Sequence, residues 1–155
     1  MAGIPMIFIL FTTMQVCIAV WNYFTLDHAV NLAVRYASLH GATCSSGGNT
    51  CTVTLGQVAT QLANYATGVP AAKINATFTT DSGSVTTCNP LTSCLSNGTT
   101  WPPSANNDNQ VGSDLTIRAQ FNMNMTLAMF WFRDGMVNND GTLGFPAQST
   151  QQIIY

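Results

Sequence analysis

The chain has 155 residues, of which 46% are hydrophobic and only 6% charged; glutamate is absent and the formal net charge is −2. A chain so poor in lysine and arginine offers no basic surface to a phosphate backbone, which sets nucleic acid aside as a partner. Its length holds one membrane segment and one small core.

No Asp, Glu, Lys or Arg lies between Met1 and Leu26. The apolar run from Ala2 to Phe24 passes into helical patterning as far as His40, and Ile4 to His40 amounts to roughly 55 Å of helix, where about 20 residues cross a hydrocarbon core. The sequence therefore predicts a transmembrane segment over 1–26 and an extracytoplasmic domain over 27–155, which includes the protruding half of the first helix, 27–40. A cleaved signal peptide fits poorly: Met-Ala-Gly-Ile-Pro carries no basic side chain, and the helical pattern runs on past Trp21. Asp27 and Arg35 mark the membrane surface and the start of the protruding half. His40 suits a helix C-terminus, with Gly41 as a left-handed stop.

On that helix Gln15, Ala19, Asn22, Ala29, Ala33 and Ala37 fall within an arc of about 80°. Small residues let backbones approach and amide side chains seek hydrogen-bond partners in lipid, so Gln15 and Asn22 point to docking of other membrane helices. For the three later alanines, packing beneath the protein's own head is an equal alternative.

Of five cysteines, Cys17 falls in the span and Cys44, Cys51, Cys88 and Cys94 in the head. Both head pairs enclose short loops rich in glycine, proline and serine, so local bridges 44–51 and 88–94 cost least among the three pairings. Their spacing misses the usual zinc pattern, and disulfides imply an oxidising compartment, hence a head outside the cytoplasm. Cys17 is read as an apolar filler, with lipidation or a cross-link between chains as the alternatives.

Apolar positions recur at helical spacing from Leu55 to Ala66, before Gly68-Val-Pro70, and predict a short amphipathic helix. Ile74, Ala76 and Phe78 then alternate with Asn75, Thr77 and Thr79, and Asp81-Ser-Gly83 turns the chain back toward Val85 as a hairpin. From Thr87 to Gly112 the chain has no sustained period and reads as a disulfide-pinned surface excursion. Leu115 to Met125 alternates without exception and predicts a strand with one face in the core. The run Leu127–Phe132 either completes the core or exposes Phe130, Trp131 and Phe132 as a partner or membrane surface, and Trp101 in its loop is a second candidate. Asn139-Asp-Gly141 offers a tight turn toward a last segment, Phe145 to Tyr155. The fold class expected is α+β, with a long N-terminal helix, a second helix and an antiparallel sheet.

Catalytic equipment is missing from the sequence: neither His28 nor His40 sits in a nucleophile motif, and no G-x-S-x-G or phosphate-binding glycine loop occurs. Asp108, Asp114 and Asp140 among many asparagines raise a calcium site, but lack EF-hand order and read as turn residues and strand ends. No catalytic residue, cofactor, metal or small-molecule substrate is expected.

The order of parts resembles the TadE-like family of pilin-related proteins. The residues that carry the resemblance are Pro5 within the apolar run, the segment Asn31-Leu-Ala-Val-Arg-Tyr-Ala-Ser-Leu-His-Gly41, the strand Leu115 to Met125, and the ending Ala147-Gln-Ser-Thr-Gln-Gln. The resemblance implies a minor pilin-like subunit of a tight-adherence pilus, held in a bacterial inner membrane before assembly, with other pilin-like subunits and the assembly machinery as partners. Family members carry a basic leader, a cleaved glycine and a following glutamate upstream of the proline. The given sequence shows none of these upstream of Pro5: either its start is assigned too late or this member is not processed, and a glutamate truly missing favours a membrane-retained place at the filament base. An anchored extracytoplasmic binding or adhesion module, using Trp101 or Phe130 to Phe132, is the alternative.

Overall fold

A computed structural model describes residues 3–47, 51, 53–124 and 142–155. Its first element, α1 (Gly3–Ser38), is one unbroken helix of 36 residues, about 54 Å long. Two environments divide it. Met6, Phe8, Leu10, Trp21 and Phe24 are between 46% and 74% exposed, whereas Leu26, Ala29, Val30, Ala33, Val34 and Ala37 are wholly buried. A core helix of a soluble protein would not leave its largest apolar side chains uncovered over five turns; this half of α1 is long and apolar enough to cross a membrane.

The second helix, α2 (Leu55–Tyr65), starts where Thr54 and Gln57 form a capping box. Thr54 Oγ1 accepts the Gln57 N–H at 3.2 Å and Gln57 Oε1 accepts the Thr54 N–H at 3.0 Å, satisfying two amides that the first turn leaves open. Leu55, Val58, Ala59 and Leu62 share its buried face, and α2 packs against α1.

Four strands follow: β1 (Ile74–Thr80), β2 (Val85–Cys88), β3 (Asp114–Asn124) and β4 (Thr142–Gln152). They form one antiparallel sheet in the order β2-β1-β3-β4. The α+β class read from the sequence is the architecture observed. Strict alternation has its physical counterpart in β1, where Ile74, Ala76, Phe78 and Thr80 are buried and the residues between them are not. In β3, Leu115, Ile117, Ala119 and Phe121 point the same way, into the head's core. The expected hairpin turn closes with Thr80 N–H donating to Ser84 O at 3.0 Å and Gly83 N–H to Thr80 O at 2.9 Å.

Helix α1 lies along β3 and β4. At one end the rings of Tyr23 and Phe145 stand 6.4 Å apart; at the other, Ile154 N–H donates to Ser38 O at 3.1 Å. The last strand therefore runs beside the helix from the level of Tyr23 to that of Ser38.

Two sequence expectations are corrected. Gly41 is absent from the positive-φ glycines, which are Gly68, Gly83 and Gly112. It is needed for space instead: a Cβ there would lie 2.2 Å from Tyr155 O and 2.3 Å from Ile153 Cγ2. The stretch from Thr87 to Gly112 is not merely a surface excursion, because Leu91 and Trp101 from it enter the core. Disulfides join Cys44 to Cys51 and Cys88 to Cys94, with Cα separations of 5.3 Å and 5.7 Å, and Cys17 is free and exposed. The run Leu127–Phe132 and the turn at Asn139–Gly141 lie outside the described residues.

Candidate functional site

The small, polar stripe on α1 divides at Ala19. Ala29, Ala33 and Ala37 are at the centre of the head's own core, because a methyl group is the largest side chain that lets α2 and the sheet close on the helix together. Ala19 is buried beneath Met123 and Phe145. Asn22 is nearly buried, with its amide 4.0 Å from the Met123 sulfur. Five of the six positions thus face the protein's own head, which corrects the expectation that Asn22 awaits a partner helix. Gln15 alone lies below this contact; it is half-buried, and its Oε1 is buried with no hydrogen-bond partner among the described residues.

Trp101 is not an exposed contact either. It is buried, and its indole stands edge-on to Phe78 with ring centroids 5.5 Å apart. Trp101 N–H donates to Val53 O at 2.9 Å, and Thr54 and Thr100 form an isolated bridge, so backbone pairing to the start of α2 draws the indole inward. Phe130, Trp131 and Phe132 lie outside the described residues.

Sequence reading passed over Asp108 as a structural hub. Asn106 and Asn107 both take left-handed conformations, which asparagine tolerates, and the tight turn they make aims the next carboxylate inward. Asp108 is buried and accepts from Thr80 Oγ1 at 2.7 Å, Ser82 Oγ at 2.6 Å and Ser82 N–H at 3.0 Å. Burial raises the carboxyl's pKa, but the three donors outweigh it and leave the group below its ordinary value of 3.8. With both oxygens occupied by protein donors, Asp108 ties its loop to the β1–β2 turn.

The outward face of the sheet carries a concave polar surface. Thr77, Thr79, Val85, Thr116, Arg118, Gln120 and Gln148 line a shallow cleft of about 540 Å³. Across it Thr116 and Thr150 share a hydroxyl hydrogen bond of 2.7 Å. Register places Arg118 between Thr77 and Gln148, and no carboxylate pairs with it among the described residues. Alternation in β1 and β3 had already put these side chains on the outer face; it could not show that they close into a cleft.

No group of three or more His, Cys, Asp or Glu able to hold a metal occurs among the described residues. His28 is exposed on α1, while His40 donates from Nδ1 to Tyr36 O at 2.6 Å, which caps the end of the helix. The chemistry these surfaces offer is packing and hydrogen bonding. Neither a protein-family model, nor a curated protein, nor a solved structure matches the chain.

Proposed function

We propose that this protein is a minor pilin-like structural subunit or assembly component of a tight-adherence, type IV-like pilus. In this reading α1 crosses a bacterial inner membrane once and holds the head outside the cytoplasm. Its partners are other pilin-like subunits and the assembly machinery, and it works by packing, not catalysis.

The observation that carries the reading is the division of a single helix. From Met6 to Phe24 its large side chains are uncovered, and from Leu26 to Ala37 it is the spine of the head's core. A subunit that must exchange lipid for neighbouring helices without unfolding its head needs this arrangement, because the exchanged half contributes little to the core. The two disulfides in the head suit an oxidising compartment, and the resemblance of Asn31–Gly41, Leu115–Met125 and the final strand to TadE-like proteins supplies the particular pilus.

Deleting the gene in its host and complementing it, with surface filaments counted by negative-stain electron microscopy, tests the proposal. Filaments lost and then restored support it; filaments unchanged by deletion refute it. A second reading, an anchored extracytoplasmic binding module, is favoured by one observation, the polar cleft around Arg118. Its signature is filaments that persist while binding of a surface or ligand is lost.

A further inference from the structure

We infer that the lower end of the β3–β4 ladder is a second membrane contact, seated in the lipid headgroup layer beside α1. The inference rests on the reading of α1 as a membrane span and concerns how the head stands on the same bilayer.

The level of the membrane surface can be read from α1. Its last exposed large apolar side chain is Phe24, Leu26 is already wholly buried in the head, and Asp27 is the first charged residue of the chain. Trp21, Tyr23 and Phe24 are 70%, 38% and 64% exposed. Three aromatic rings between an apolar run and the first charge make the belt that transmembrane helices place at the headgroup level.

The sheet does not stop above that belt. Phe145 lies against Tyr23, and Met123 and Phe145 cover Ala19, which is five residues below Phe24 and so about 7 Å deeper along the helix. Strand β3 descends from Asp114 and β4 rises to Gln152, and the two remain paired to their lower ends at Asn124 and Thr142. The lower end of this ladder therefore lies at the level of the belt and just beneath it.

Depth decides which layer is met. Hydrocarbon does not tolerate backbone groups without partners, and β4 is an edge strand with one side of its backbone open. The headgroup layer supplies water and polar groups to that edge and to Asn122, while accepting aromatic and thioether side chains. A head held at two points is fixed in rotation about α1, so it presents a constant face, including the cleft around Arg118, to whatever docks beside it.

The test uses the full chain with Cys17→Ser, disulfides intact, reconstituted in vesicles of phosphatidylethanolamine and phosphatidylglycerol at about three to one. Spin labels are placed singly at Asn122→Cys and Pro146→Cys near the ladder's lower end, at Gln152→Cys near its upper end, and at Val16→Cys in the span. Collisions with a water-soluble nickel chelate and with oxygen report depth. The expected result is nickel accessibility at 122 and 146 at least threefold lower than at 152, with the label at 16 in hydrocarbon. Labels at 122 and 146 as open to nickel as that at 152, with 16 still in lipid, overturn the second contact and leave the span standing. A label at 16 open to nickel overturns both.

Discussion

The indole of Trp101 stands edge-on against the phenyl ring of Phe78, their planes at 75° and their centroids 5.5 Å apart. This pair joins the loop beyond the second disulfide to the first strand of the sheet, and it turns a residue that reads as a surface anchor into a core residue. Trp101→Ala is expected to destabilise the head by about 3 kcal/mol, through the cavity it leaves and the lost aromatic contact. Urea unfolding followed by circular dichroism measures the loss. An unchanged midpoint would return Trp101 to the surface.

Asp108 makes stability depend on pH. Its carboxyl titrates below the ordinary value of 3.8 in the folded head, so the unfolded chain takes up the proton first as pH falls. The stabilisation is complete above the unfolded value and is lost as pH descends through the folded one. Asp108→Asn removes that dependence and leaves a donor facing the Thr80 and Ser82 donors, at a cost of about 1–3 kcal/mol near neutrality. Unfolding midpoints of both forms between about pH 6 and pH 2 check the sign: the wild-type advantage must shrink toward the acid end.

The two halves of α1 should answer differently to bulk. Ala33→Leu forces a larger side chain between α1 and its neighbours, where Ala33 is fully buried, and is expected to cost about 1–3 kcal/mol or to prevent folding. Val16→Leu, on the exposed half, leaves the unfolding midpoint unchanged. Equal effects at both positions would contradict the division of the helix.

Opening the bridge between Cys88 and Cys94 by replacing both with serine is expected to lower stability by about 2 kcal/mol, the loop-closure value for so short a loop. Both sulfurs also sit in or beside the core cluster, so the loss exceeds that value if the serine hydroxyls find no partner. Denaturation with and without reductant, on wild type and double variant, separates the two contributions.

Much of this fold is legible because its elements carry their own periods. Strands β1 and β3 alternate, α2 has both its apolar spacing and its capping box, and two local disulfides are the pairings of least loop entropy. What escaped the sequence depends on distance. The same stripe on α1 serves a partner helix or the protein's own head, and only the placement of Met123 and Phe145 over Ala19 and Asn22 decides for the head. Trp101 lies in a stretch without a period, and its burial follows from backbone pairing to Val53. Asp108 finds its donors at Thr80 and Ser82, more than two dozen residues away, and no local pattern announces them. Gly41 reads as a helix stop, yet it is glycine because the C-terminal strand's continuation crosses it closely.

The central claim is that the exposed half of α1 is a working surface of a pilus subunit and not simply an anchor. The most direct test complements a gene deletion with a chain in which residues 6–18 are replaced by a featureless leucine and alanine helix of equal length. That replacement removes Gln15 but keeps every helix residue that packs in the head's core. With head folding and membrane insertion verified, the account predicts that filaments fail to return although the variant accumulates in the membrane. Filaments restored to wild-type numbers would show that any anchor suffices, and would contradict it.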